Sequence, residues 1–566
     1  VRAFANLYRE LDAATATKSK QAALTSYFAA ARADPARWGS AAWAAYFLSG
    51  GKPRQIVPTR VLGRLGIEGG GVPEWLFEEC YQSVGDLAET LSLLLPEGQG
   101  GADVPLDVWM QDRLLPLRAL DEEEKFTRLR DWTAELEVDE RFALFKLITG
   151  AFRVGVSRLQ VVKALAQVAN VEESRMAQRM MGYSRAQGTP EAADFAALIA
   201  EVDADEGRAL DEGKPYPFCL AHSWAHPVED MAPTLGPPSD WIVEWKFDGI
   251  RAQFLNRENA WRLWSRGEEL ISDGYPELAA LAAALPKGLA IDGELVVMRP
   301  PAGGPVSPDD LSGLAPFAEL QQRLGRKVVG EKTMRDLPVA FIAYDLIELD
   351  GRDIRATPQR ERRAALEKLV TARGLPLRLS PRIVADDWPA LAKIREGARG
   401  LGVEGMMLKA REAVYGVGRR KGDDRTDVWW KWKLDPMSVD AVLIYAQRGH
   451  GRRSGVYSDY TFAVWDAETG DRALVPFAKA YSGLSDAEMR EVDAIIRKTT
   501  IESFGPVRSV TPTLVFELGF EGIGASKRHK SGVAVRFPRM LRWRKDKPVA
   551  EADTLATLRE LLPTSG

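Results

Sequence analysis

The 566 residues predict a multidomain fold in three parts: all-α first, mixed α/β second, and a small β-barrel last. Three observations carry that expectation. Apolar residues recur at helical spacing through residues 1–210, β-prone runs alternate with helical ones through 241–436, and short strands dominate 437–550. A proline-rich stretch, 211–240, reads as a linker, and 551–566 as a C-terminal tail.

The helical part is marked by Trp43, Tyr46 and Phe47; by Leu87, Leu91 and Leu94; by Phe126, Leu129, Trp132 and Leu136; and by Phe142, Phe145 and Ile148. Within it, Ser157 and Gln160 form a capping box, and Val156 is placed to staple onto Val161. The spacing predicts a helix start presented by a glycine turn beside Arg153, an arrangement that suits phosphate, although plain packing would use the same residues.

Composition excludes several classes. A content of 45% hydrophobic and 28% charged residues describes an ordinary folded chain, and no run approaches the roughly 18 apolar residues of a membrane span. Phe4, Leu7 and Leu11 give the start of the chain an amphipathic helix, not a signal peptide, so a cytoplasmic protein is expected. Two cysteines, Cys80 and Cys219, cannot build a disulfide framework. Cys219, His222 and His226 offer three zinc ligands in the linker, but a fourth is missing nearby and a metal is not expected there.

The middle part carries the chemistry. Trp241-Ile-Val-Glu-Trp-Lys246 reads as a buried strand that breaks at Asp248-Gly249, leaving the Lys246 amine at a strand end facing a pocket. Ala252–Leu255 and Trp261–Trp264 form a hairpin that returns Ser265-Arg266-Gly267 to the same mouth. Further apolar strands carry isolated charges: Asp292 and Glu294, then Tyr344 and Asp345, then Glu404 and Lys409, then Lys431 and Lys433. Carboxylates set among β-branched residues need partners. Helical spacing marks 358–369, and the segment 299–335 reads as a mobile loop followed by a helix.

In the last part, 441–446, 460–465, 472–478 and 513–517 read as strands, with a helix over 485–498 opened by a Ser485/Glu488 capping box. Net charge is -4, yet nine lysines and arginines stand between Lys527 and Lys547 against one acid, Asp546. Such a run suits a polyanion; a solvated charged loop is the bland alternative.

These segments resemble, in order, motifs I, Ia, III, IIIa, IV and V of the covalent nucleotidyltransferases. The stretch Arg536-Phe-Pro-Arg539 through Arg544-Lys545-Asp546-Lys547 resembles motif VI of ATP-dependent DNA ligases. The resemblance is strong over residues 220–548 and looser before them. It implies an all-α DNA-binding domain, an α/β nucleotidyltransferase (adenylation) domain and an OB-fold domain, in the three-domain layout of stand-alone bacterial enzymes.

It further implies that Lys246 attacks the α-phosphorus of ATP, that Lys431 and Lys433 grip the α-phosphate, and that Glu294 and Glu404 hold Mg²⁺ or Mn²⁺. Asp248 and Arg251 would orient the ribose and later the nick, Tyr344 would stack on adenine, and Glu244 would accept from its exocyclic amine. Arg539, Asp546 and Lys547 would meet pyrophosphate; Arg266, Arg419 and Arg420 would take the 5′-phosphate; Arg153 would reach the DNA backbone. The partner implied is nicked duplex DNA, met by a monomer associated, by analogy, with the bacterial nucleoid.

A free lysine is protonated and not nucleophilic, so its site has to activate it, through the walls at Trp245, Phe247 and Ile250 or the charges at Arg251, Lys431 and Lys433. Ion pairs between Glu294 or Glu404 and those lysines are the plainer use of the carboxylates. Among rivals, an RNA ligase or capping-type guanylyltransferase shares Lys-x-Asp-Gly, but the helical first part and the Arg-Phe-Pro-Arg tail fit DNA ligases better. An NAD-dependent ligase needs a four-cysteine module that two cysteines cannot build. An inert nick-binding scaffold would not need Lys246, Glu294, Glu404, Lys431 and Lys433 together.

Overall fold

Helices follow one another from Arg2–Ala13 to Ala192–Ile199 in the computed structural model of the chain. The structure describes all residues except 99–100, 102, 151, 153, 184–188, 201–212, 259, 300–306, 325, 327–328, 374–376, 419–427, 450–454, 468–469, 506 and 563–566. Arg153, Arg419 and Arg420, and the first part of the 299–335 insertion, lie outside the described residues.

The helical core is the one the periodicity marks. Trp43, Phe47, Leu91, Leu129 and Phe145 are buried together, while Leu87, Leu94, Trp132 and Phe142 pack against them part-buried. The Ser157/Gln160 capping box forms and opens the helix Arg158–Ala169, with the Ser157 N–H donating to Gln160 Oε1 at 2.8 Å. Among the described residues no helix is long and apolar enough to cross a membrane.

Two sheets build the middle part. One has the order β1-β10-β9-β2, from His222–Ser223 (β1), Trp241–Phe247 (β2), Val403–Ala410 (β9) and Trp429–Lys433 (β10). The other runs β4-β3-β5-β6-β7, from Ile250–Asn256 (β3), Trp261–Ser265 (β4), Leu289–Val297 (β5), Val339–Leu349 (β6) and Arg352–Asp353 (β7), with Arg378–Leu379 (β8) beside β6. The segment read as a linker is not a free tether. Its His222–Ser223 pairs in parallel with β10, and the Tyr216 N–H donates to Gln253 Oε1 at 2.7 Å.

The C-terminal part is a β domain. Its strands are Met437–Arg448 (β11), Tyr457–Trp465 (β12), Leu474–Ala480 (β13), Thr500–Phe504 (β14), Val507–Val510 (β15), Val515–Phe520 (β16), Gly522–Ala525 (β17), Val533–Arg536 (β18) and Arg539–Trp543 (β19). The sheet order is β13-β12-β11-β15-β14; β16 pairs with β11 and β19, and β17 pairs with β18. Strands β14, β15 and β17 to β19 are short, half-exposed or polar, so alternation in the sequence did not mark them. The helix Asp486–Thr499 opens on the Ser485/Glu488 capping box.

Candidate functional site

The register of β2 against β9 shifts between Trp245 and Phe247, so Lys246 stands at a bulge, where a strand re-aims a side chain. Gly249 then turns the chain into β3 of the second sheet. A Cβ there would lie 2.5 Å from the Leu295 carbonyl oxygen and 2.8 Å from Glu294 Cγ, so only glycine fits beside that carboxylate. Gly405, at φ 129°, similarly brings β9 against β10 directly after Glu404.

A cavity of about 680 Å³ opens over this point. Both sheets line it: Glu244, Trp245 and Lys246 from β2, Lys409 from β9, Lys431 from β10, Arg251 from β3, Glu294 from β5 and Tyr344 from β6, with Arg266 at its rim. Glu244 and Lys431, 187 positions apart in sequence, thus share one space.

Lys246 Nζ pairs with Glu404, whose carboxylate is also 3.8 Å from Lys433 Nζ and 3.9 Å from Arg536 Nη1. Burial acts to raise the Glu404 carboxyl, but Lys246 and the other cations outweigh it and hold it below its ordinary value. Glu294 is different. Burial, only partly offset by Lys246 and Arg251, pushes its carboxyl up to about 8. Two carboxylates of opposite tendency therefore flank one amine.

Deeper in the cavity, Glu244 is buried between Arg363 and Lys409, with Lys409 Nζ 2.5 Å from its Oε2. The same ammonium lies 4.2 Å from the centre of the Tyr344 ring and 4.5 Å from that of Trp429, over their faces. Burial raises the Tyr344 hydroxyl well above its ordinary value, so the phenol stays neutral. Arg251 donates to Asp292 from Nη2 at 2.7 Å and from Nε at 3.2 Å, and to the Cys219 carbonyl from Nη1 at 2.6 Å. Its guanidinium is thus largely committed to the protein, with Tyr415 Oη completing the network on Asp292 at 2.6 Å.

The C-terminal domain meets the adenylation domain beside Lys246. Arg536 Nη1 is 2.6 Å from Asp248 Oδ2, and Lys433 Nζ is 2.8 Å from Glu521 Oε2. Burial raises the Asp248 carboxyl, with Arg536 opposing.

The basic residues of the tail from Arg539 to Lys547 are paired with acids of their own domain. Among the described residues Arg539 pairs with Glu521, at 3.6 Å. Asp546 pairs with Arg544, which holds its carboxyl down to about 2, and Lys547 donates to Asp440 at 2.7 Å. Asp546 and Lys547 are therefore tied within the C-terminal domain and do not line the cavity. Charge counting along the sequence missed this because the acids that pair with the basic run, Asp440, Glu491, Glu517 and Glu521, are distant from most of it in sequence. Arg363, Lys409, Glu521 and Arg536 are the residues that sequence reasoning left without a role. Lys409 and Arg536 stood inside quoted motifs, whereas nothing local marked Arg363 or Glu521.

Comparison with known proteins agrees along the whole chain. Residues 1–166 match the family model described as DNA ligase N terminus, 219–433 the ATP dependent DNA ligase domain, and 453–547 the ATP dependent DNA ligase C terminal region. A probable DNA ligase of Koribacter versatilis is 32% identical over 98% of this chain and 95% of its own length. The chain belongs to the ATP-dependent DNA ligases.

A probable DNA ligase of Opitutus terrae is 33% identical over 78% of this chain, which spans only 47% of that longer relative. Among solved structures, Pmar-Lig_PreS3 superposes over 96% of this chain and 99% of its own with a TM-score of 0.58 at 14% identity, a likeness of fold. The three parts are therefore those of a ligase: an N-terminal helical domain, an adenylation domain and a C-terminal β domain. The family acts on DNA and uses ATP as substrate.

Proposed function

We propose that this ligase seals 5′-phosphate/3′-OH nicks in duplex DNA through lysyl-AMP and DNA-adenylate, with Lys246 as the nucleophile. The observation that carries the reading is the Lys246 amine at the β2 bulge, which lines a cavity of nucleotide size together with Glu294 and pairs with Glu404. Lys246 gives up a proton, its nitrogen bonds the α-phosphorus of ATP, and pyrophosphate leaves. The nick's 5′-phosphate oxygen then displaces the lysine, and the 3′-OH finally displaces AMP.

Glu244, fixed by Arg363 and Lys409, accepts from the exocyclic amine of adenine, and Tyr344 supplies the stacking face. Lys431 neutralises the α-phosphate, joined by Lys433 once Glu521 releases it. Arg251, braced on Asp292, sets the ribose end, and Arg266 meets the 5′-phosphate. Asp248 is freed for the nucleotide and nick when Arg536 withdraws.

The carboxylate pair suits one hard cation that keeps most of its waters. Glu294 has no hydrogen-bond or ion-pair partner among the described residues, and a carboxyl pushed up to about 8 gains most from a nearby positive charge. Glu294 and Glu404 would hold Mg²⁺ or Mn²⁺, which would screen charge on the α-phosphate when bound.

The C-terminal β domain is taken as an OB-fold that closes on the adenylation domain through Arg536 and turns about Leu434-Asp435-Pro436. With the 544–547 cluster neutralised internally, its duplex contact is assigned to the exposed 526–532 turn. There Lys527, Arg528 and Lys530 have no acid partner among the described residues. The helical domain grips the duplex backbone, Arg153 included, and the enzyme works as a monomer.

Incubation with α-labelled ATP or GTP tests the reading. A covalent adduct from ATP and not GTP is expected, and it should vanish in Lys246→Ala. A GTP adduct favours a capping-type enzyme, and no adduct from either favours an inert scaffold.

A further inference from the structure

The cavity above Lys246 has a wall that the adenylation domain does not supply. Arg158, Leu159, Val162, Ala177 and Met181 of the helical domain line it. One carboxylate of the adenylation domain binds this wall directly. Glu268 pairs through Oε1 with the Arg158 guanidinium and accepts the Gly182 N–H on Oε2 at 3.3 Å. Arg158 in turn donates to the Met180 carbonyl at 2.5 Å, so Glu268 and the start of the helix Arg158–Ala169 both anchor the 180–182 stretch.

Two further features show a built contact. Glu268 sits at φ 63° in a tight turn closed by its own N–H on the Ser265 carbonyl at 2.8 Å, and the turn fixes where its carboxylate is presented. Gly182, at φ 73°, lies close against the Trp264 ring, where a Cβ would stand 3.0 Å from it. The ion pair is also partly shielded, with 26% of the Arg158 side chain and 17% of the Glu268 side chain exposed. Salt therefore screens it less than a surface pair.

Leu159, Val162, Ala177 and Met181 make the wall apolar, and an apolar wall over an activated phosphate excludes water and strengthens every charge inside. We propose that the helical domain forms a working wall of the ATP pocket, and that the Arg158–Glu268 latch sets how tightly nucleotide is held in the first step. This rests on the placement of ATP at Lys246 proposed above. A cavity of about 680 Å³ admits a nucleotide but not a duplex, so the same latch has to open before a nick reaches Lys246.

The test is lysyl-AMP formation from labelled ATP by the full chain. Glu268→Gln and Arg158→Glu should each raise KM for ATP about five- to tenfold and alter kcat less, the size expected when one charge-assisted hydrogen bond is removed. The exchange Arg158→Glu with Glu268→Arg should bring KM back toward wild type, which a general loss of folding would not do. Leu159→Trp, at a position half-exposed to the cavity, should also raise KM by crowding the nucleotide.

KM values within about twofold of wild type in all three single variants would overturn the proposal, since an effect that small is below one hydrogen bond. So would an exchange variant no better than the worse single. Lys246→Ala separates the two layers. Labelling that survives in it removes the nucleotide placement itself, whereas its loss beside unaltered latch variants removes only the wall.

Discussion

Arg536 of the C-terminal domain lies 2.6 Å from Asp248, two residues beyond the Lys246 amine, and so joins the last part of the chain to the first strand of the site. The pair does two things. It joins the β domain to the chain just past Lys246, and it occupies the carboxylate proposed above to orient the nucleotide and the nick, so on that proposal domain contact and substrate binding compete for one group. Phe317, whose ring centre lies 4.8 Å from the Arg536 guanidinium, supports the closed position.

Opening should follow from removing that charge. Arg536→Glu places two carboxylates together, and small-angle scattering should give a larger radius of gyration than wild type at low salt. Sealing of nicks should fall more than labelling of pre-bound enzyme. An unchanged radius would mean that other contacts hold the domains.

Lys246→Ala should abolish lysyl-AMP yet leave sealing of pre-adenylylated nicks within about tenfold of wild type, because the last step does not use the amine as nucleophile. Equal loss in both assays would make Lys246 a positioning residue only.

Glu294 predicts a pH dependence. Burial holds its carboxyl up to about 8, so the folded chain keeps a proton that the unfolded chain releases near 4.5. Between those values the folded state binds more protons, and stability falls as pH rises. Thermal melts of Glu294→Gln should therefore decline less than wild type from pH 5 to 8. Calorimetry in two buffers should show Mg²⁺ binding to wild type releasing a proton near pH 7, and to the variant releasing none. Parallel melting curves would remove the assignment.

The exposed turn should show itself in salt. Replacing Lys527, Arg528 and Lys530 together by alanine should weaken nick binding and flatten the log–log salt slope by about one unit for each DNA phosphate that the turn neutralises. Lysyl-AMP formation should be retained. A slope equal to wild type would return the DNA contact to other residues.

Much of this was legible in the residues. The helical spacing of Trp43 to Ile148 marked its helices because burial of one face leaves a regular trace, and β2, β5, β6 and β9 read as apolar runs because both of their faces are largely buried. Lys246, Glu294, Glu404 and Lys431 were legible because each motif is local, and a strand fixes where its own side chains point. Arg363 behind Glu244, Glu521 on Lys433 and Glu268 on Arg158 left no such trace. An ion pair between distant residues is two ordinary surface charges until the fold brings them together. For the same reason the basic run after Lys527 looked uniform in the sequence. Only the tertiary structure divided it into residues neutralised by Asp440, Glu491, Glu517 and Glu521 and a turn left facing solvent. Charge is additive along a chain, but its effect depends on distance, and distance is decided by folding.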